Sequence, residues 1–369
     1  MRICFVGPAN SAHIVKWCTW FTNHGHEVHV ISFSQGDIPN TTVHVINAGV
    51  TAQSSDLAKI KYLFSGKQIN RIIDHIQPDI VNAHYATSYG TALALSGVNN
   101  YVLSVWGSDV YDFPQKSFLH KALLKYSLKK ASYLFSTSKA MADEASKYTN
   151  KRFEITPFGV DLVLFNPNKR ARKEKDGSFV VGTVKGLSDK YGISYLLHAV
   201  AEIKNQGNIP IKLRIAGKGP QEKEYRHLAN ELGISDVTNW LGFISQEQAA
   251  QEWANMDVAI VPSILESFGV SAVEAQACGT PVIISDIPGL MEATKPGETS
   301  VVVKRKDSHA IAMAINELYR DKKKLAVMGK LAVGFVKEKY ELKHCFNKIE
   351  RLFEMYAKKV RVNCEKVQI

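Results

Sequence analysis

Strand-length apolar runs and helix-like stretches alternate twice along this chain, with one charged break between the two series. The first series has runs at 3–6, 27–32, 42–46, 80–83, 101–105 and 133–137, with helical patterning at 13–23, 66–75, 116–130 and 139–147. Strands covered by helices on both faces are apolar throughout, unlike half-solvated strands that alternate. This layout therefore predicts a doubly wound parallel α/β sheet. Residues 166–177 then carry charge without apolar periodicity and hold turn residues at both ends, so they read as a linker. The series restarts at 179–184, 212–216, 238–241, 258–261, 281–285 and 300–303, and a basic helical stretch closes the chain near 342–360. At 369 residues, two domains are the default. The expected architecture is α/β, with two Rossmann-like domains facing across a cleft: 1–165 and 178–345, joined by the linker. Ligands of open α/β sheets bind at the carboxyl ends of the strands, which would put the site between the domains.

Composition removes several classes. The longest apolar runs are strand-length, too short to span a membrane. The N-terminus runs straight into a first strand and lacks a signal-peptide apolar region, so a cytoplasmic location is expected. Five scattered cysteines with no CxxC pair read as reduced thiols. The net charge of +11 is uneven: residues 116–152 hold nine Lys and Arg against Asp143 and Glu144. Such a block suggests an anionic partner. No nucleic-acid-binding signature accompanies it, so a membrane surface is favoured over nucleic acid.

The most informative segment is Glu266-Ser267-Phe268-Gly269-Val270-Ser271-Ala272-Val273-Glu274. An apolar strand precedes it, and a helix that stops at Gly279-Thr280-Pro281 follows. Glu266 is thus expected in the loop above the strand end, with the backbone N–H groups of 267–270 at an anion-attracting helix start. Glu274 would lie about 10 Å further along the helix, at ~1.5 Å per residue. That spacing suits an extended nucleoside diphosphate carrying a sugar.

In this context of strand, Glu-Ser-Phe-Gly, helix, Glu-Ala-Gln-Ala-Cys-Gly-Thr-Pro-Val and strand, the segment resembles the E-x7-E signature of retaining GT-B glycosyltransferases, specifically glycosyltransferase family 4, the glycosyl transferases group 1. The resemblance is strong over 178–300 and looser before. It implies that Glu266 contacts donor-sugar hydroxyls, that Glu274 binds the ribose, and that the backbone of Ser267, Phe268, Gly269 and Val270 holds the sugar and diphosphate. Val181-Gly182-Thr183-Val184-Lys185-Gly186-Leu187-Ser188-Asp189-Lys190-Tyr191-Gly192 resembles the family loop V-G-R-L-x-x-x-K-G, whose cations neutralise the departing diphosphate. Gly186 falls at the Arg position and Tyr191 at the Lys position, while Lys185 and Lys190 keep the family spacing one residue earlier. These two lysines are therefore expected at the leaving group, where fixed positive charge is needed. Arg214-Ile215-Ala216-Gly217-Lys218-Gly219-Pro220 resembles V-G-x-G-P, implying donor contact at Gly217, and Trp240-Leu241-Gly242-Phe243-Ile244 resembles the loop near the nucleobase, implicating Phe243.

On the N-terminal side the family's T-x-H-G-x-D reads Ser104-Val105-Trp106-Gly107-Ser108-Asp109, with Trp106 in place of His. Either His13 or His84 serves there, or the substrate is handled differently; Asp109 is expected to orient the acceptor. The helical stretch 116–130 reads either as an ordinary core-facing helix or as a basic helix docking to anionic lipid, which implies a peripheral position at the inner face of the cell membrane. Residues 346–369 are expected to return to the N-terminal domain.

The expected activity is thus retaining, metal-independent hexosyl transfer. The donor would be a nucleotide-sugar, UDP-linked by preference, and the acceptor a hydroxyl of a saccharide or lipid-linked saccharide in cell-envelope polysaccharide synthesis. No cofactor is expected beyond the donor, and no D-x-D triplet occurs. A nucleotide-sugar epimerase of the same fold, a nicotinamide-binding oxidoreductase (although no G-x-G-x-x-G follows a strand) and a non-catalytic nucleotide-binding scaffold remain alternatives.

Overall fold

The computed structural model describes residues 1–47, 64–170 and 177–367, with side chains through Lys359. The chain forms two compact units: Met1–Pro157 with Phe346–Ile369, and Phe158–Cys345.

The first unit is a seven-stranded, wholly parallel sheet of order β3-β2-β1-β4-β5-β6-β7. Its strands are β1 (Arg2–Val6), β2 (Glu27–Ser32), β3 (Thr42–Val45), β4 (Ile80–His84), β5 (Val102–Val105), β6 (Tyr133–Ser136) and β7 (Phe153–Ile155). The first crossover helix, Ala12–Asn23, is capped by Ser11 and buries Ile14, Trp17, Cys18 and Phe21, the spacing of one helical face. The terminal helix Leu342–Val367 completes this core. Its Phe346 and Phe353 pack on Trp17, Tyr356 stacks on Tyr133 at 3.5 Å between centroids, and Lys348 donates to the carbonyl of Ile155.

The second unit holds a six-stranded parallel sheet of order β10-β9-β8-β11-β12-β13. Here β8 is Phe179–Val184, β9 Ile211–Ala216, β10 Thr238–Gly242, β11 Val258–Val261, β12 Val282–Ser285 and β13 Ser300–Val303. Helices 193–206, 222–231, 246–255, 270–277 and 308–320 link or flank these strands. The apolar inner faces of β8, β9 and β11 make one continuous core with the helix Ile193–Gln206.

The first division between the units falls at Pro157–Phe158, ahead of the expected 166–177 linker. Residues 158–165 go with the second unit because Val160 is fixed there, donating to Tyr340 O and accepting from Leu342 N. Residues 171–176 of that run lie outside the described residues.

The helix Phe118–Lys130 leaves part of its apolar surface outside the core. It buries Leu124, Ser127 and Leu128, while Phe118 and Leu119 are 82% and 70% exposed beside its lysines. No described helix is long and apolar enough to cross a membrane.

Candidate functional site

In the second sheet the strand order reverses between β8 and β11, which are paired neighbours. Such switch points leave a crevice beyond the carboxyl ends of the two strands. Lys185 follows β8, and Glu266 follows β11. Their side chains meet there, 81 residues apart in sequence, with Nζ donating to Oε2 at 2.5 Å. The pair is largely withdrawn from water, at 11% and 12% side-chain exposure. Burial acts most strongly on Lys185 and disfavours its charge. The charge and hydrogen bond of Glu266, with Tyr191 and Glu274 nearby, overcome it and push the pKa up. The ammonium is therefore held charged. Ser263 Oγ also approaches Glu266 Oε2, at 3.5 Å.

The two loops are tied together by backbone. Ile264 N and Leu265 N both donate to Lys190 O, at 2.8 and 3.2 Å. Lys185 N donates to Ala216 O and Leu187 N to Lys218 O, which seats the lysine loop on the 217–219 turn. Gly217 has φ +137°, and a Cβ there would drive into the carbonyl oxygen of Lys185. The absence of a Cβ at Gly217 lets the lysine loop approach. Lys190 is exposed, with its ammonium 5.2 Å from the centroid of the Tyr191 ring.

The helix Val270–Ala277 begins beside Glu266, with Gly269 at its N-cap in the left-handed region. First-turn N–H groups of a helix lack intrahelical acceptors and favour anions. Ser271 Oγ donates to Val184 O at 3.1 Å, fixing this helix start against β8. The Phe268 ring is buried against Tyr340. Glu274, one turn deeper, accepts from the buried Trp253 indole at 3.4 Å. Phe243, just past β10, is 78% exposed. Sequence reasoning missed Trp253 and Ser263, since neither lies in a recognisable motif.

The first unit brings His13, His84, Trp106 and Asp109 to the carboxyl ends of its strands. His84 ends β4 and is fully buried among Phe5, Trp17 and Trp106, with ring centroids at 5.4, 4.7 and 5.1 Å. Neither of its ring nitrogens has a hydrogen-bond partner among the described residues. So placed, His84 packs against Trp106, the residue at the family His position. His13 packs edge-on against Trp106 at 5.5 Å. Asp109 is held by backbone donors. Its buried carboxylate accepts from the backbone N–H groups of Ala86, Trp106 and Gly107, at 2.8, 3.1 and 2.7 Å. It clamps the loop that carries Trp106. Burial, the largest influence, outweighs these bonds and raises its pKa.

Burial, then the proximity of His13, pulls the pKa of His84 down to about 3; burial, then Lys16, pulls His13 down to about 4. Both folded values lie below the unfolded one, near ~6.5, so their neutral forms are favoured in the fold. The associated stability is complete above that value and is lost as pH falls toward 3 to 4. The loss is about 1.4 kcal/mol per pH unit for each histidine. The thermal midpoint of the first unit should fall between pH 6.5 and 4.5, and His84→Phe should flatten that fall. An unchanged slope in the variant would show that His84 is not held neutral.

Comparison with known proteins matches this arrangement from both ends. Residues 2–138 match the family "Glycosyl transferase 4-like", and residues 165–333 match "Glycosyl transferases group 1". The D-inositol 3-phosphate glycosyltransferase of Pseudarthrobacter chlorophenolicus is 28% identical over 80% of this chain and 76% of its own. That of Paenarthrobacter aurescens is 29% identical over 55% of this chain, so the match spans only about half, 52%, of that enzyme. Sucrose-phosphate synthase from Thermosynechococcus elongatus superposes with a TM-score of 0.81 at 19% identity, covering 96% of this chain and 98% of its own. HepE from Anabaena, solved with UDP and glucose, gives 0.75 at 18%, covering 96% and 100%. The fold is therefore GT-B. With glycosyltransferase models matching both halves, this chain belongs to the glycosyltransferases of family 4, the group 1 type.

Proposed function

We propose that this protein is a retaining glycosyltransferase that moves a hexosyl group from a UDP-sugar to a hydroxyl of a saccharide or lipid-linked saccharide in cell-envelope polysaccharide synthesis. The observation that carries the reading is the meeting of Lys185 and Glu266 at the switch point of the second sheet, beside the start of the helix Val270–Ala277. A departing nucleoside diphosphate gathers negative charge as the glycosidic bond breaks. Positive groups fixed in advance stabilise that charge without reorganising. Lys185, Lys190 and the N–H groups of 267–270 are assigned that task, so the protein supplies the charge itself and no metal is invoked. Glu266 is assigned to the donor-sugar hydroxyls, Glu274 to the ribose, and Phe243 to the side of the base.

Retention fits same-face attack through an oxocarbenium-like transition state. Glu266 is already engaged by Lys185 and is given no covalent role. The UDP preference draws support from the UDP and glucose bound to HepE. Glycosyl transfer to a hydroxyl draws support from relatives named for inositol-phosphate glycosyl transfer and α-(1→4)-mannosyl transfer. A thermal-shift screen of nucleotide-sugars, followed by product analysis with the best, tests the reading. Stabilisation by at least one UDP-hexose is expected; no response to any nucleotide-sugar would defeat it.

A lipid-linked acceptor calls for a hold on the membrane. Phe118 and Leu119 stand exposed beside Lys116, Lys121 and Lys125, so an apolar pair and a cationic rim share one end of the helix. An anionic bilayer answers both. In a sedimentation assay, phosphatidylglycerol vesicles should retain the protein, and Phe118→Ser with Leu119→Ser should weaken retention about tenfold or more, at ~0.8 kcal/mol per buried CH2. Equal retention of the double variant would remove this surface from the proposal.

A further inference from the structure

Two departures from the family loop pattern, Gly186 and Tyr191, fit together in space. A Cβ at position 186 would lie 3.2 Å from Cε2 of Tyr191, closer than most side chains allow, so glycine leaves room for the ring. Tyr191 closes the single turn Asp189–Tyr191, its N–H donating to Ser188 O at 2.9 Å. Its ring then has two ammonium groups within cation–π range: Lys185 Nζ at 4.6 Å and Lys190 Nζ at 5.2 Å from the centroid. Where the family pattern uses one arginine and one lysine, this chain gathers two lysines around an aromatic ring.

We propose that Tyr191 is a positioning residue for the leaving-group charge, its ring holding Lys185 and Lys190 together where a nucleoside diphosphate binds. The inference rests on the donor-site reading above. The ring does two things. It gives each flexible lysine a preferred place, which lowers the ordering cost of gripping a phosphate. It also gives Lys185 a second partner besides Glu266, so the ammonium can turn from the carboxylate to a phosphate oxygen without being stranded among apolar groups. Lys190 is aligned from its other end, because its carbonyl is fixed by Ile264 and Leu265.

The test is calorimetric titration of the whole protein with UDP, GDP and ADP and with the matching nucleosides, in wild type, Tyr191→Phe and Tyr191→Leu. For the diphosphate that wild type binds best, Tyr191→Phe should stay within about twofold and Tyr191→Leu should bind roughly tenfold more weakly. Affinity for the matching nucleoside should not change, since it lacks the charge that the lysines serve. Equal diphosphate binding by Tyr191→Leu and wild type would overturn the proposal. So would an equal loss in Tyr191→Phe, which would transfer the role to the hydroxyl. A parallel loss of nucleoside binding would mark the effect as general damage and also overturn it. If wild type binds none of the three diphosphates, it is the donor-site reading that fails instead.

Discussion

Glu266→Ala is expected to slow sugar transfer by at least about a thousandfold, roughly 4 kcal/mol of lost transition-state stabilisation, while the protein stays folded. The carboxylate sits at the switch point beside the helix start and is oriented by Lys185 and Ser263. Hydrogen bonds from sugar hydroxyls to a fixed charge are of the strong, charge-assisted kind. The same substitution should leave binding of the nucleoside diphosphate intact or tighter. It removes a negative charge next to where the phosphates are assigned and frees the Lys185 ammonium for them. Loss of turnover with retained diphosphate affinity is therefore the signature of a sugar-binding carboxylate. Turnover within tenfold of wild type, measured by release of free nucleotide, would remove Glu266 from the site.

The second large effect comes from the lysines, which should fail in different ways. Lys190→Ala should cut turnover by about a hundredfold with little change in melting temperature, because the residue is exposed and its ammonium lies over the Tyr191 ring. Lys185→Ala should cut turnover at least as much and also destabilise the second unit. It strands the Glu266 carboxylate at 12% exposure. Removing one partner of a fully buried pair costs about 3–5 kcal/mol; for this pair, still touched by water, about 1–3 kcal/mol is the reasonable range. Turnover and thermal melts on the two variants separate these roles. Equal melting temperatures would mean that the Lys185–Glu266 pair does not contribute to the fold, and wild-type turnover in either variant would take that lysine away from the leaving group.

Much of the fold was legible because parallel strands write themselves as short apolar runs. All the runs marked from the sequence appear as strands; β7 (Phe153–Ile155) does not stand out, being three residues long behind Lys151 and Arg152. The helix Tyr89–Ala94 is buried all round and so carries no amphipathic period to read. The candidate site was legible as motifs but not as contacts. The Lys185–Glu266 pair depends on β8 and β11 being neighbours, a consequence of sheet order that local patterning does not encode. The acceptor-side reading of Asp109 rests on its place in the family pattern, and that of His84 on the need for a substitute where Trp106 replaces the family His. The Ala86 donor on Asp109 and the aromatic cage around His84 come from residues distant in sequence and could not be read from it. The close approach of the Lys185 carbonyl to Gly217 is likewise a matter of sheet order that the motif alone does not show.

The central claim is that the second sheet's switch point holds a nucleotide-sugar, with Glu266 on the sugar. Calorimetric titration of wild type and Glu266→Ala with UDP and with UDP-glucose tests it most directly. The expected result is that wild type binds both and gains affinity from the sugar, whereas Glu266→Ala keeps UDP binding and loses the gain. Absence of binding in wild type, or an equal fall for both ligands in the variant, would contradict it.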